Sequence, residues 1–336
     1  MSSSVMWKTM ALVLLATTAS HAIPDATILK DVVSVSVQGD GHWTTAEHDV
    51  IRLATDEGVS QFGTLSRTYN AETTEVVVQQ AGTVDAQGTL HPLPDTSIHD
   101  QAVPEVQNDP IYGRLRQLSV TWKEARPGTT IEFRLETHHR HLLWPGQVWD
   151  SSWLEDVVPV QDSLFEVSFP TGLAMAWHGV GRMEGVAPQV DTSAGRETWR
   201  WHAQDVPGLA QEPGMPPLAE VAGRIEVSSA TSWADLVHTL QEAWDTATDP
   251  GTLDLSSWLK PVAGLTGDAR LSALVREIQQ RTVEVNAPVV PPDWRPLPLE
   301  QVAQARRLSS PDRVVLLVGL LRALGVPATV GLAGDG

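Results

Sequence analysis

Two hydrophobic periods divide the chain. From residue 23 to about 205 the apolar positions alternate with polar ones in short runs. Val33, Val35 and Val37 alternate with Ser34, Ser36 and Gln38, a period of two that predicts a half-buried strand. Similar runs, rich in branched and aromatic residues, occur at 50–53, 74–79, 118–122, 130–136, 163–169, 173–177 and 198–202. Asp85-Ala86-Gln87-Gly88 and Arg126-Pro127-Gly128 are turn signals between them. Roughly eight to ten short strands punctuated in this way predict an antiparallel two-sheet sandwich.

Residues 206–222 contain Pro207, Gly208, Pro213, Gly214, Pro216 and Pro217. Repeated proline removes backbone donors and disfavours helix, so a linker is expected there. Residues 225–228 read as a short strand, and beyond them the period becomes helical. Ser232 suits an N-cap with Asp235 at the third helical position. Trp233, Leu236, Val237, Leu240 and Trp244 then share one face, and Asp249-Pro250-Gly251 ends the helix. A second helix starts near Asp268, with a stripe of Leu271, Leu274, Val275 and Ile278. Pro288, Pro291, Pro292, Pro296 and Pro298 impose a loop. A short helix is expected over about 299–307 and a last one from Pro311, a residue suited to the first helical turn. Gly325 closes that helix, and residues 328–332 read as a strand.

Composition narrows the class. A chain of 336 residues with 42% apolar and 19% charged residues is globular and suits two domains. The net charge of −18 excludes nucleic acid and anionic membrane surfaces as natural partners, because both would repel it. The absence of Cys excludes disulfides, thiolate metal sites and a cysteine nucleophile. Thirteen Trp against two Tyr point to aromatic sandwich cores. Residues 1–22 read as a secretory signal: Lys8, a short apolar run from Met10, and Ser20-His21-Ala22 as a cleavage pattern. A periplasmic or secreted protein without a membrane span after cleavage is expected.

The final helix follows Leu308-Ser309-Ser310-Pro311-Asp312-Arg313. It runs through Leu320-Leu321-Arg322-Ala323-Leu324-Gly325 to Val326-Pro327-Ala328. This stretch resembles the nucleophile helix of the bacterial transglutaminase-like superfamily, where Gly-Asp-Cys-Lys-Asp opens a helix continuing as Leu-Leu-x-x-Leu-Leu-Arg-x-Leu-Gly-Ile-Pro-Ala. The resemblance puts Ser310 at the family's cysteine, Asp312 at its aspartate and Arg313 at its following cation. The β-region resembles the exported domain of unknown function that precedes such domains. The shared features are Asp40-Gly41, Asp56-Glu57-Gly58, Phe62-Gly63, Tyr69-Asn70, Ala81-Gly82-Thr83-Val84, Gln87-Gly88 and Leu118-Ser119-Val120, then Pro127-Gly128-Thr129-Thr130-Ile131-Glu132-Phe133. Together the two imply a multidomain β plus α+β chain. A β-sandwich at 23–205 and a linker at 206–222 would precede the helical half of a papain-related transglutaminase-like domain at 223–336. Active members of that family cleave or transfer at amide bonds. The strands carrying its histidine and aspartate are expected to be missing from this chain.

Serine does not replace the thiol. Its hydroxyl is far less acidic, so a helix dipole alone does not ionise it and a base is required. No His follows residue 310. Ser310 is therefore expected to be the N-cap of its helix. Asp312 is expected to complement the dipole rather than to hold a cation or a substrate amine. His139 and His141 would share a strand face at a spacing that can hold Zn²⁺, but Arg140 between them opposes a cation. A polar strand end is expected, with no metal and no cofactor. Trp144, Trp149 and Trp153 would form a stacking platform if exposed; burial is expected. Glu155, Asp156 and Asp254 read as solvated surface charge. The expected function is non-catalytic binding or scaffolding in the cell envelope, with an envelope protein, peptide or glycan as partner. The alternative is a truncated or degenerate acyl-transfer enzyme acting on peptide amide bonds. The apolar final helix is expected to expose a face for a partner or for self-association.

Overall fold

A computed structural model describes residues 23–140, 144, 146–230, 232–288 and 295–331. Residues 1–22, where a secretory signal is expected, and His141 lie outside the described residues. The chain opens with the hairpin β1 (Ala26–Val37) and β2 (Trp43–Leu53). Helix α1 (Asp56–Phe62) follows, capped by Thr55, whose Oγ1 accepts the Gly58 N–H. Then come β3 (Thr64–Asn70), β4 (Thr74–Val84), β5 (Leu90–Pro92), β6 (Ile98–Ala102), β7 (Leu115–Thr121) and β8 (Thr130–His139). The run ends with β9 (Trp149–Trp153), β10 (Val160–Pro170), β11 (Ala176–Val180), β12 (Gln189–Ser193), β13 (Arg196–Val206), the single turn α2 (Leu218–Val221) and β14 (Arg224–Ser228).

These strands build an eight-stranded sheet of order β12-β13-β10-β1-β2-β8-β4-β5, faced by the three-stranded sheets β3-β7-β6 and β11-β14-β9. The large sheet is mixed, because β1 pairs with β10 in parallel from Ile28↔Val160 to Ser36↔Ser168. Alternation reveals strands but not their direction, so the sequence suggested a purely antiparallel sandwich. Two apolar cores lie on the inner face of the large sheet. One joins Ile28, Ile51, Ile131 and Phe133 to Leu118, Val120 and Trp122. The other joins Val35, Trp43, Phe165 and Trp201 to Ile225 and Val227. Trp43, Trp122, Trp199, Trp201 and Trp258 are buried, which accounts for much of the Trp content. Strand β14 pairs with both β9 and β11. The segment expected to open the helical part therefore completes the sandwich.

The helical part holds α3 (Trp233–Ala247), α4 (Ser256–Leu259), α5 (Gly267–Arg281), β15 (Val283–Glu284), α6 (Leu299–Gln304), β16 (Arg307–Leu308) and α7 (Ser310–Ala323). Helix α6 stops short of the expected residue 307 because Arg307 and Leu308 pair in parallel with Val283 and Glu284. Ser232 caps α3 as expected, its Oγ accepting the Asp235 N–H at 3.1 Å. The expected apolar stripe of α3 is only half used. Leu240 is buried, whereas Trp233 and Val237 are exposed, since α3 is anchored near its C-terminal end by Asp245 to Arg322. The core of this part gathers Trp258, Leu274, Ile278, Leu299, Val315, Leu316 and Leu320, together with Val103, Val106 and Tyr112 from the β6–β7 connection and Leu115 at the start of β7. A loop of the β-region is thus built into the helical core.

Helix α7 ends in a Schellman turn. The Val326 N–H reaches Leu321 O at 3.0 Å, the Gly325 N–H reaches Arg322 O at 2.9 Å, and Gly325 sits at φ +71°. Val315, Leu316, Val318 and Leu320 are buried; Val314 is the one large apolar side chain of α7 that is exposed. The expected apolar face is therefore confined to Val314 and the half-buried Leu317 and Leu321. Residues 328–331 form no strand, and Leu332 lies outside the described residues. Among the described residues no helix is long and apolar enough to cross a membrane.

The β1–β2 turn gives a test of the backbone. Gly41 has φ +85°, and a Cβ there would lie 2.3 Å from Gly146 Cα. Gly88 has a similar φ of +81° but open space around it. Gly88→Ala should cost about 1 kcal/mol, from conformation alone, while Gly41→Ala adds backbone overlap and should cost about 3 kcal/mol or more. Equal shifts of the two variants in urea unfolding would refute the tight Gly41–Gly146 contact.

Candidate functional site

The start of α7 is built by a relay across the two parts of the chain. Ser309, not Ser310, is the N-cap: its backbone is extended and its Oγ accepts the Asp312 N–H at 3.3 Å. Ser310 is the first helical residue, with Pro311 after it. The expectation fails by one position because either serine satisfies the capping rule; tertiary contacts decide. The Ser309 hydroxyl donates to Asp312 Oδ2 at 2.6 Å. The Tyr112 hydroxyl donates to the same oxygen at 2.5 Å and accepts the Ser309 N–H at 2.7 Å. A capping box normally returns the third-residue carboxylate to the cap N–H; here a tyrosine from the sandwich side stands between them. Tyr112, Ser309 and Asp312 are all buried. Burial and the Asp312 hydrogen bond push the Tyr112 hydroxyl well above its ordinary value of 10.0, so it remains a donor. Asp312 is thus a structural acceptor as well as the acid that complements the dipole.

Ser310 is exposed at the lip of a groove of about 370 Å³. Tyr112, Arg114 and Leu115 from one side meet Trp244, Pro296 and Val314 from the other. The Ser310 hydroxyl donates to Glu284 Oε1 at 2.6 Å, and the other Glu284 oxygen pairs with Arg313 Nη1 at 2.8 Å. Arg313, the cation after the aspartate, is held further by Thr282 Oγ1 at 3.1 Å and Thr282 O at 3.0 Å. A second hollow of about 440 Å³ continues the groove, sharing Asn70, Arg114, Arg295 and Pro296 with it.

The other expected site residues lie elsewhere. His139 stacks on Trp43 with ring centroids 4.4 Å apart. Burial pushes its imidazole down to about 4, so it is neutral near pH 7, and its Nδ1 has no hydrogen-bond partner. His138 faces the other way, with Nδ1 3.1 Å from Thr44 Oγ1. Among the described residues no three His, Asp or Glu side chains form a metal-holding group. Trp149 and Trp153 are exposed, 44% and 37%. This corrects the expectation of burial: β9 is an edge strand and turns Ser152 inward instead. Trp144 is half-buried, its Nε1 donating to Leu236 O at 3.1 Å. Glu155 is buried rather than solvated, accepting the Gly223 N–H at 2.8 Å.

The sequence reading missed a cleft of about 580 Å³ between the two small sheets. Along β2 the inward positions run Trp43, Thr45, Glu47, Asp49, Ile51 and Leu53, so two carboxylates interrupt the apolar face. Asp31 on β1 is the cross-strand partner of Asp49, and the two share a hydrogen bond. Burial pushes Asp31 up to about 6 and raises Asp49 well above its ordinary 3.8. Glu47 pairs with Arg67 at 2.7 Å. Asp150, bonded by Thr45 Oγ1, is pushed up to about 6 by burial. Directly opposed carboxylates repel unless one is protonated. The signal was present in the odd positions of β2, but the adjoining Val50 and Ile51 masked it.

Fold and groove define a class: a mixed-sheet domain locked onto a helical unit whose last helix presents a hydroxyl to an inter-part groove. The chain belongs to the family described as a domain of unknown function with solved structure, DUF3857, whose model matches residues 39–210. A solved structure described as a "putative protease" from Parabacteroides distasonis is similar in fold, with 17% identity and a TM-score of 0.77. The alignment covers 90% of this chain and 59% of that one, so this chain spans 59% of that protein's length. An M1 zinc metallopeptidase from Deinococcus radiodurans aligns at 12% identity over 60% of this chain and 42% of that one. Its TM-score of 0.31 carries no fold argument. No curated protein matches the chain.

Two outcomes test these geometries. Tyr112→Phe strips the Ser309 N–H and Asp312 of a buried partner, and should cost about 1–3 kcal/mol in denaturant unfolding; an unchanged midpoint would overturn the relay. Asp31 and Asp49 hold protons more tightly when folded than at the ordinary 3.8. Their effect therefore favours the folded state at low pH and is lost as pH rises from about 4 through about 6. Between pH 4.5 and 7.5 the wild type should lose about 1–3 kcal/mol relative to Asp49→Asn. Parallel stability profiles would refute the shared proton.

Proposed function

We propose that this chain is a non-catalytic, transglutaminase-like protein whose groove at the start of α7 binds peptide instead of cleaving it. One observation carries the reading: the Ser310 hydroxyl is engaged by a carboxylate, Glu284, at 2.6 Å. Acyl transfer needs a nucleophile that a neighbouring base can deprotonate. A carboxylate, with an ordinary conjugate-acid value near 4, is a much weaker base toward an alcohol than imidazole near 6.5. Support also comes from Asp312, whose oxygen is occupied by the Tyr112 and Ser309 hydroxyls. The groove itself is open and mixed, with apolar walls at Leu115, Trp244 and Val314, as a short peptide would require. The sequence pattern of residues 1–22 favours an exported, envelope-located protein. The same Ser310–Glu284 contact is what favours the alternative, a weak serine-based acyl transferase.

Peptide-amide hydrolysis and amine-incorporation assays on the wild type, Ser310→Ala and Ser310→Cys separate the two. No turnover is expected from any of them. Turnover in the wild type that Ser310→Ala abolishes, or turnover gained in Ser310→Cys, would overturn the non-catalytic reading. Export is checked by mass spectrometry of the periplasmic fraction, where a chain beginning at Ile23 is expected; an intact Met1 form confined to the cytoplasm would refute it.

A further inference from the structure

We propose that the groove beside Ser310 recognises a peptide by its chain-end carboxylate, held on the guanidinium of Arg114. This rests on the reading of the groove as a peptide site and specifies what that site selects.

Arg114 stands where the groove and the adjoining hollow meet and lines both. It is half-buried. Its Nη1 donates to Ile111 O at 2.9 Å, which fixes the head against the turn Pro110–Tyr112, two residues from the relay tyrosine. Among the described residues it has no carboxylate partner. Other arginines nearby are paired: Arg307 with Asp109 and Arg313 with Glu284. A half-desolvated guanidinium is stabilised most by an anion, and its planar fork suits a carboxylate with two parallel N–H donors. With one Nη1 bond made, the remaining N–H groups of Arg114 are available for that purpose.

The local charge agrees. The chain carries −18 overall, yet among the described residues the charged ones lining the joined cavities are Arg114, Arg295, Asp312 and Glu72, and Glu284 at the Ser310 lip is paired with Arg313. Asp312 is buried with its Oδ2 occupied, and Glu72 is exposed in the hollow rather than in the groove. The groove therefore meets an incoming anion with the Arg114 guanidinium on an otherwise acidic molecule, a complementarity that selects the ligand. Leu115, Trp244, Pro288 and Val314 beside it form an apolar seat for the last side chain. A peptide ending in an apolar residue with a free carboxylate fits both features.

Calorimetric titration of the full chain with Ac-Ala-Ala-Leu, as the free acid and as the C-terminal amide, tests this. The acid should bind roughly tenfold to a hundredfold more tightly, the range for a hydrogen-bonded charged group. Arg114→Gln should weaken the acid by that tenfold to hundredfold and the amide by much less, so that the two peptides bind alike. Equal affinities of acid and amide for the wild type would overturn the inference while leaving peptide binding in the groove intact. That comparison does not depend on the variant folding. Binding of Ac-Glu-Ala-Leu-amide as tight as that of the free acid would overturn the assignment to a chain end. Absence of binding by every peptide would remove this inference together with the peptide-site reading.

Discussion

The hydroxyl of Tyr112 has a donor on one side and an acceptor on the other. It takes the Ser309 N–H and gives its own proton to Asp312, which also receives the Ser309 hydroxyl. Buried polar networks of this kind stabilise only when every member is satisfied, since an orphaned group in low dielectric costs its full desolvation. Here the satisfied state exists only if the β6–β7 connection and the start of α7 are in register. Sequence separation makes the contact expensive in chain entropy, but Val103, Val106 and Leu115 bury beside it in the helical core and offset that cost. The two polar groups the groove presents are placed by this junction: Ser310 is one residue beyond the cap, and Arg114 is two residues beyond the tyrosine.

A second constraint acts inside the sandwich. The large sheet has two apolar areas on one face and carboxylates between them, so the small sheets cover its ends and leave the middle open. Asp31 and Asp49 are opposed in register, and apolar cover over them would strand charge in low dielectric. The cleft is therefore a consequence of three acidic side chains at inward positions, with Arg67 reaching Glu47 from β3 as the main cationic relief. Its outline follows from β1 and β2 alone once their inward positions are known.

Much of the fold was legible in local sequence. The β1 alternation at Val33, Val35 and Val37, the Ser232 cap, and the Gly325 termination all appear where pattern placed them, because each is decided within a few residues. Direction of pairing was not legible: the parallel β1–β10 contact joins segments over a hundred residues apart. Nor was the exposure of Trp149 and Trp153, which depends on β9 lying at a sheet edge, or of Trp233, which depends on where α3 is anchored. At the groove, the resemblance of the Leu308–Gly325 stretch located the helix and its leading hydroxyl. Choosing between Ser309 and Ser310 as cap required Tyr112, a residue with no periodicity and no neighbouring motif. Arg114 was silent for the same reason: an arginine in a loop becomes informative only when its environment lacks a carboxylate.

The relation between helix and chemistry can be argued from burial. Val315, Leu316 and Leu320 are fully buried and Gly319 admits Leu299, whose Cδ2 would lie 2.4 Å from a Cβ there. These residues hold the helical core whatever stands at position 310. Asp312 and Ser309 are likewise fixed by the relay to Tyr112. Ser310, by contrast, is exposed and, among the described residues, bonded only to the exposed carboxylate of Glu284. A surface hydroxyl contributes little to stability, so the residue at that position is free to change without loosening the helix that presents it. A fold of this kind separates the residues that hold the helix from the one that it presents, and the groove keeps its shape, its arginine and its apolar walls whichever side chain stands at position 310.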